Sequence, residues 1–179
     1  MKTIPTGITL VILLGYEKLS LELVAGMLQS QLKHSVLVNV SQLIERQSAP
    51  DTVENRKHLF EKKLSEVASE GIEFFIVIGF PTDIETSIEV ERIFGGNVIT
   101  FFGTSTVYTV NGRRPLSRLQ KETVRKEIEK YDNDTKGLIE HLSSRGRGCH
   151  GIPSSRIEAV QAQFIRHSIR PHIKTAAAS

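Results

Sequence analysis

The chain has 179 residues, 39% of them hydrophobic and 24% charged, with 23 Lys and Arg against 20 Asp and Glu. That length fills one domain with a complete core, and a net charge of +3 is too mild to argue by itself for a nucleic-acid binder. A lone cysteine, Cys149, excludes an internal disulfide, and no apolar run approaches the roughly 18 residues of a membrane span.

Thr9–Leu14 reads as a buried strand. The segment before it has the basic-then-apolar look of a secretory leader. No small-residue cleavage site follows, and Glu17 and Lys18 come at once, so a first strand of an intracellular protein is expected. Gly15 turns the chain. Leu19, Leu23, Met27 and Leu32, with Val24 and Leu28, set a helical stripe over 19–32. Residues 36–40 are a β-branched strand, and Ser41 caps a short helix to Arg46. Asp51 and Glu54 have the spacing of a capping box for a helix with Val53, Phe60, Leu64 and Val67 inward.

Phe74–Ile78 is a continuous apolar run, as a central parallel strand should be, and Gly79-Phe80-Pro81 breaks it. A helix over 83–94 stops at Gly95-Gly96, and residues 98–102 make the next strand. A Gly- and Thr-rich stretch with Arg113, Arg114, Arg118 and Lys121 leads into a long helix reaching Arg145. That helix turns Val124, Ile128, Tyr131, Leu138 and Leu142 inward. A weak, irregular edge strand is expected near 147–152. A last helix is capped by Ser155 with Glu158 and closed by Pro171, and a frayed tail covers 175–179. Strands alternating with helices at this spacing predict one α/β domain over 1–179, a three-layer fold with a parallel sheet of about five strands.

The start of the chain carries a further expectation. A strand, a turn glycine and a helix are where nucleotide-binding α/β proteins place G-x-x-x-x-G-K-[ST]. Counted from Gly15, the second glycine falls on Ser20, the lysine on Leu21 and the metal-binding hydroxyl on Glu22. Glycines let successive N–H groups curl around a phosphate, and the lysine adds a point charge. Glu22 in the first helical turn suits the helix dipole but repels a phosphate. Gly15, Lys18, Ser20 and Leu21 therefore read as a vestigial phosphate loop.

Three pieces carry a resemblance: the strand–Gly15–helix start; Phe75-Ile76-Val77-Ile78-Gly79-Phe80-Pro81 with Asp83-Ile84-Glu85 and Glu89-Val90-Glu91-Arg92; and Ile128-Glu129-Lys130-Tyr131 with Thr135 and Leu138-Ile139. In order and spacing the chain resembles the adenylate kinase family of nucleoside monophosphate kinases over roughly residues 8–170. The resemblance implies a P-loop NTPase fold, with a phosphate loop for ATP, an acceptor site opening at Gly79, Phe80 and Pro81, and a lid that is shortened here. It places the family's phosphate-loop lysine at Leu21 and its Ser-Thr-Gly-Asp stretch at Val38-Asn39-Val40-Ser41. Its acceptor arginine falls at Ile44 (Arg46 is near), its metal-linked aspartate at Ile78, the arginine after Gly-Phe-Pro at Thr82 and its base-reading glutamine at Thr86. The lid arginine, aspartate and later arginine fall near Leu116, Leu119 and Glu127, and a slip of two residues would bring in Arg118 and Arg125.

With so many charges missing, the expected function is a noncatalytic pseudo-adenylate kinase: no catalytic residue, no metal, no cofactor, no membrane. It would serve as a protein-binding subunit of a larger assembly, with cytoplasmic, ciliary or flagellar settings by analogy. An active kinase with charges relocated to Lys18, Arg46, Arg118 and Arg125 is the alternative. A second is an RNA or polyanion binder using Arg113, Arg114, Arg118 and Lys121, with Arg125 and Lys126 beyond them; Glu122, Glu127 and Glu129 dilute that stretch. Cys149 beside His150 lacks the further spaced ligands of a metal site.

Overall fold

Thr9–Leu14 forms β1, the central strand of a five-stranded sheet in this computed structural model, which describes residues 7–15, 21–103, 117–145, 148–152 and 158–176, with side chains to 171 in the last. In chain order there follow α1 (Leu21–Gln31), β2 (Ser35–Asn39), α2 (Val40–Arg46), α3 (Val53–Val67), β3 (Phe74–Ile78), α4 (Ile84–Phe94), β4 (Val98–Gly103), α5 (Arg118–Ser144), β5 (Cys149–Ile152) and α6 (Glu158–Ala176). The strands lie in the order β2-β3-β1-β4-β5 and all pair in parallel. The expected α/β fold with a five-stranded parallel sheet is what forms.

Parallel strands need helical crossovers, so both faces of this sheet are covered and its centre is apolar on both sides. Leu10, Ile12 and Leu14 of β1 and Phe75 and Val77 of β3 face one layer, built from α2, α3, α4 and α5. Val11 and Leu13 of β1 and Phe74 and Ile76 of β3 face the other, built from α1 and α6. Phe60 of α3 anchors the first layer. It is 1% exposed, and its ring centroid lies 4.8 Å from that of Phe80 and 5.7 Å from that of Phe75. Ion pairs tie the helices of this layer outside the core, Lys57 to Glu89 at 2.6 Å and Arg145 to Glu91 at 2.7 Å.

Local details differ from the sequence expectations. Asn39, not Ser41, caps α2, its side chain accepting from the Gln42 N–H. Thr52, not Asp51, caps α3, because Asp51 is engaged by an arginine. Val53, Leu23 and Met27, expected inward, are exposed, and Leu59 takes a core place on α3. Pro171 lies inside α6, and Thr175 and Ala176 belong to that helix rather than to a tail. Ala162, Ile165 and Ile169 pack α6 into the α1 layer, and this tertiary burial outweighs the local cost of proline. Ser155, Leu19, the stretch that would hold the shortened lid, and residues 177–179 lie outside the described residues.

The weak edge strand does form. Thr100 to Gly103 pair with Cys149 to Ile152, and the Gly148 carbonyl accepts from the Thr100 N–H. Gly148 has φ +69°, and a Cβ there would sit 2.9 Å from the Val98 carbonyl, so only glycine lets the chain enter this strand. Among the described residues, no helix is long and apolar enough to cross a membrane.

Phe60→Ala should cost about 3–5 kcal/mol, the usual range for a buried aromatic whose cavity cannot collapse. A urea titration would show a lower midpoint with an unchanged slope.

Candidate functional site

An open α/β sheet leaves its ligand space beyond the carboxyl ends of its strands, where the crossovers part. Here that region is a cleft of about 930 Å³. Leu13, Leu14 and Gly15 at the end of β1, Asn39 at the end of β2, and Ile78 and Gly79 at the end of β3 form its floor. One wall comes from α2 and the start of α3, with Ser41, Gln42, Glu45, Asp51, Thr52 and Arg56. The opposite wall is one stripe of α5. Glu127, Lys130, Tyr131, Asp134, Thr135 and Leu138 recur at i, i+3, i+4, i+7, i+8 and i+11, the spacing of a single helical face.

The best-organised side chain in the cleft is Arg56, which the sequence reading did not single out. Its side chain is 15% exposed. Nε donates to Asp51 Oδ1 at 2.6 Å and Nη2 to Asp51 Oδ2 at 2.8 Å, a two-point pair that fixes the guanidinium plane. Nη1 donates to the Gly79 carbonyl at 2.6 Å and to Ser41 Oγ at 3.1 Å. One arginine thus joins the starts of α2 and α3 to the end of β3. The hydrogen bonds from Arg56 hold the Asp51 carboxyl below its ordinary 3.8, against a smaller opposing effect of burial. The sequence signal was present but indirect: Asp51 and Arg56 are five apart, a spacing at which no regular helix pairs side chains.

Gly79 makes this approach possible. Its φ is +79°, and a Cβ would fall 2.5 Å from Ser41 Oγ and 3.2 Å from Arg56 Nη1. Across the cleft, Asn39 Nδ2 donates to Glu22 Oε1 at 2.9 Å, linking the end of β2 to the first turn of α1. Tyr131 reaches the floor, where it is hydrogen-bonded by the Gly15 backbone. Burial, with the charge of Asp132 adding to it, pushes its phenol up to about 12.

The positions singled out from sequence divide accordingly. Gly15, Leu21, Gly79 and Pro81 line the cleft. Phe80 does not; it is core, against Phe60. Lys18, Ser20, Leu116, Arg113 and Arg114 lie outside the described residues. Of the positions aligned to the adenylate kinase family, Asn39, Ser41, Ile78, Thr82 and Glu127 border the cleft, whereas Ile44 and Thr86 are buried away from it, Thr86 bonded to Asp83. Leu119 is exposed on α5. Arg46, Arg118, Lys121 and Arg125 are exposed and do not line the cleft. Among the described residues the cations that line the cleft are Arg56 and Lys130, because the cleft stripe of α5 is the face of Tyr131, and Arg118 and Arg125 fall on another. Among the described residues, no three His, Cys, Asp or Glu converge in a metal-binding group. Burial raises the Cys149 thiol, which lies 3.6 Å from Ser143 Oγ and is remote from the cleft.

No protein-family model matches the chain, and no curated protein does. Solved structures do. A gluconokinase from Sinorhizobium meliloti 1021 matches with TM-score 0.54 and 11% identity over 94% of this chain and 98% of that one. A tunicamycin resistance protein from Deinococcus radiodurans matches with TM-score 0.52 and 14% identity over 90% and 95%. A shikimate kinase from Bacteroides thetaiotaomicron matches with TM-score 0.51 and 13% identity over 90% and 98%. The chain has the fold of the P-loop kinases.

This corrects the expectation of a noncatalytic structural subunit. Two of these structures are named kinases, not structural subunits, and match over nearly their whole length, so the likeness lends no support to a larger assembly or a flagellar setting. The losses at Leu21, Ile44 and Ile78 are real departures from one kinase family. Arg56 is a cation of the cleft that none of those aligned positions includes.

Two tests follow. Gly79→Ala should destabilise by about 1–2 kcal/mol through its left-handed backbone alone, with the Ser41 contact adding to this, read by thermal unfolding. The Asp51–Arg56 pair contributes stability that is complete above 3.8 and is lost as pH falls through the lowered folded value. Asp51→Asn should therefore flatten the acid limb of a stability–pH curve, by less than about 1 kcal/mol because the carboxylate is 58% exposed.

Proposed function

We propose that this chain is a kinase-like phosphotransferase that holds a small-molecule acceptor in the cleft above β1, β2 and β3. The observation that carries this is the fixed Arg56 guanidinium. It is held in plane by Asp51, Ser41 and the Gly79 carbonyl, within a space of about 930 Å³ at the carboxyl edge of a kinase-type sheet. Phosphoryl transfer asks a protein mainly for positioning and electrostatics, and a guanidinium locked by its neighbours needs no reorganisation when substrate arrives. The acceptor hydroxyl oxygen would attack the terminal phosphorus of ATP, the bond to the bridging oxygen would break to release ADP, and the hydroxyl proton would pass to a carboxylate of the cleft.

The likeness to a gluconokinase and a shikimate kinase supports an acceptor that attacks through a hydroxyl, and the resemblance to adenylate kinases makes nucleoside monophosphates, which would attack through a phosphate oxygen with no proton to pass on, the contrasting class to test.

The test is ADP release from MgATP at high enzyme concentration with a panel of nucleoside monophosphates, sugars and sugar acids. Turnover with at least one acceptor is expected, and none with any acceptor would end the proposal. Arg56→Lys keeps the charge but loses the two-point geometry. It should lower kcat/KM by about 10- to 100-fold by misplacing the Ser41 and Gly79 side of the cleft that Arg56 holds, with thermal unfolding as the control for folding.

A further inference from the structure

We infer that the acceptor of this cleft is an uncharged polyhydroxyl compound without a phosphate group; this names the substrate class of the proposed kinase site and rests on that reading. Among the described residues, the cleft is lined by five carboxylates against two cations. One of the two cations, Arg56, is already neutralised by Asp51, and its Nη1 is spent on Gly79 and Ser41. The other, Lys130, stands on α5 between Glu127 and Asp134, three residues before and four after it on the same face. A phosphate dianion entering from solvent would find no uncompensated pair of cations there, and like charges brought together in a partly enclosed space repel.

The hydrogen-bonding capacity of the walls points the same way. Carboxylates only accept, and phosphate oxygens carry no proton to give them. A hydroxyl-rich ligand donates, and so satisfies Glu45 and Asp134, neither of which has an ion-pair partner among the described residues. The Gln42 amide and the Thr82 hydroxyl complete a polar lining able both to donate to and to accept from such a ligand. Thr82 stands where the adenylate kinase resemblance places an arginine.

Matched ligand pairs separate the two chemistries: adenosine against AMP, ribose against ribose 5-phosphate, and glucose against glucose 6-phosphate, each titrated calorimetrically into the full chain. Measurable binding is expected in at least one pair, with the unphosphorylated member tighter by about tenfold or more. The double variant Thr82→Arg, Asp134→Asn should reverse that order. Three results would overturn the inference: a phosphorylated member binding more tightly to the unaltered chain, silence from all six ligands, or discrimination unchanged in the double variant. The same ligands in the ADP-release assay keep this inference apart from the kinase reading. Turnover of a phosphorylated acceptor leaves the kinase standing and removes this inference. The expected binding order without ADP release leaves the ligand class standing and removes the kinase.

Discussion

Burial of the sheet on both faces is the constraint from which the rest of this structure follows. Five parallel strands cannot be joined by tight turns, so each connection must cross a face and take a helix with it. The strands at the centre must then be apolar on both sides, as β1 and β3 are. With both faces closed and strands pointing one way, polar function has one place to gather, the carboxyl edge. The cleft lies there because the alternatives are filled.

Within that edge, Arg56 acts as a joint. Its four hydrogen bonds reach the start of α2, the residue before the α3 cap and the end of β3, so the α2–α3 wall and the sheet floor are joined. The arrangement needs Gly79, whose positive φ and missing Cβ let guanidinium, hydroxyl and backbone carbonyl meet. The pairing with Asp51 also sets the electrostatics. A neutralised arginine offers direction more than charge, and the opposite wall contributes more carboxylates than cations. A cleft with that balance suits ligands that donate hydrogen bonds.

How legible this was depends on the range of the interaction. Phe74–Ile78, Thr9–Leu14 and the stripe of α5 could be read directly, since strand and helix periods are written in adjacent residues and the core only has to agree with them. Caps were less secure. Asp51 had the sequence of a capping residue, but Arg56 competes for its carboxylate, so Thr52 takes the cap. Pro171 reads locally as a stop, yet α6 continues through it because its apolar face is buried. The site was the least legible part. Mapping a family's charges onto Leu21, Ile44 and Ile78 detected what was missing and could not detect a cation arriving from α3.

The sequence by itself determined the α/β class, the number of strands, the apolar faces and the glycine after β3, because these follow from local periodicity and from backbone conformations that few residues adopt. Only the tertiary structure decided which polar residues share the cleft. Ser41, Asp51, Arg56, Gly79, Lys130 and Asp134 come from three helices, α2, α3 and α5, and from the loops before α3 and after β3, and are gathered by the crossovers of a parallel sheet. Their pairing, and therefore the charge a ligand would meet, depends on distances through space that no spacing along the chain records.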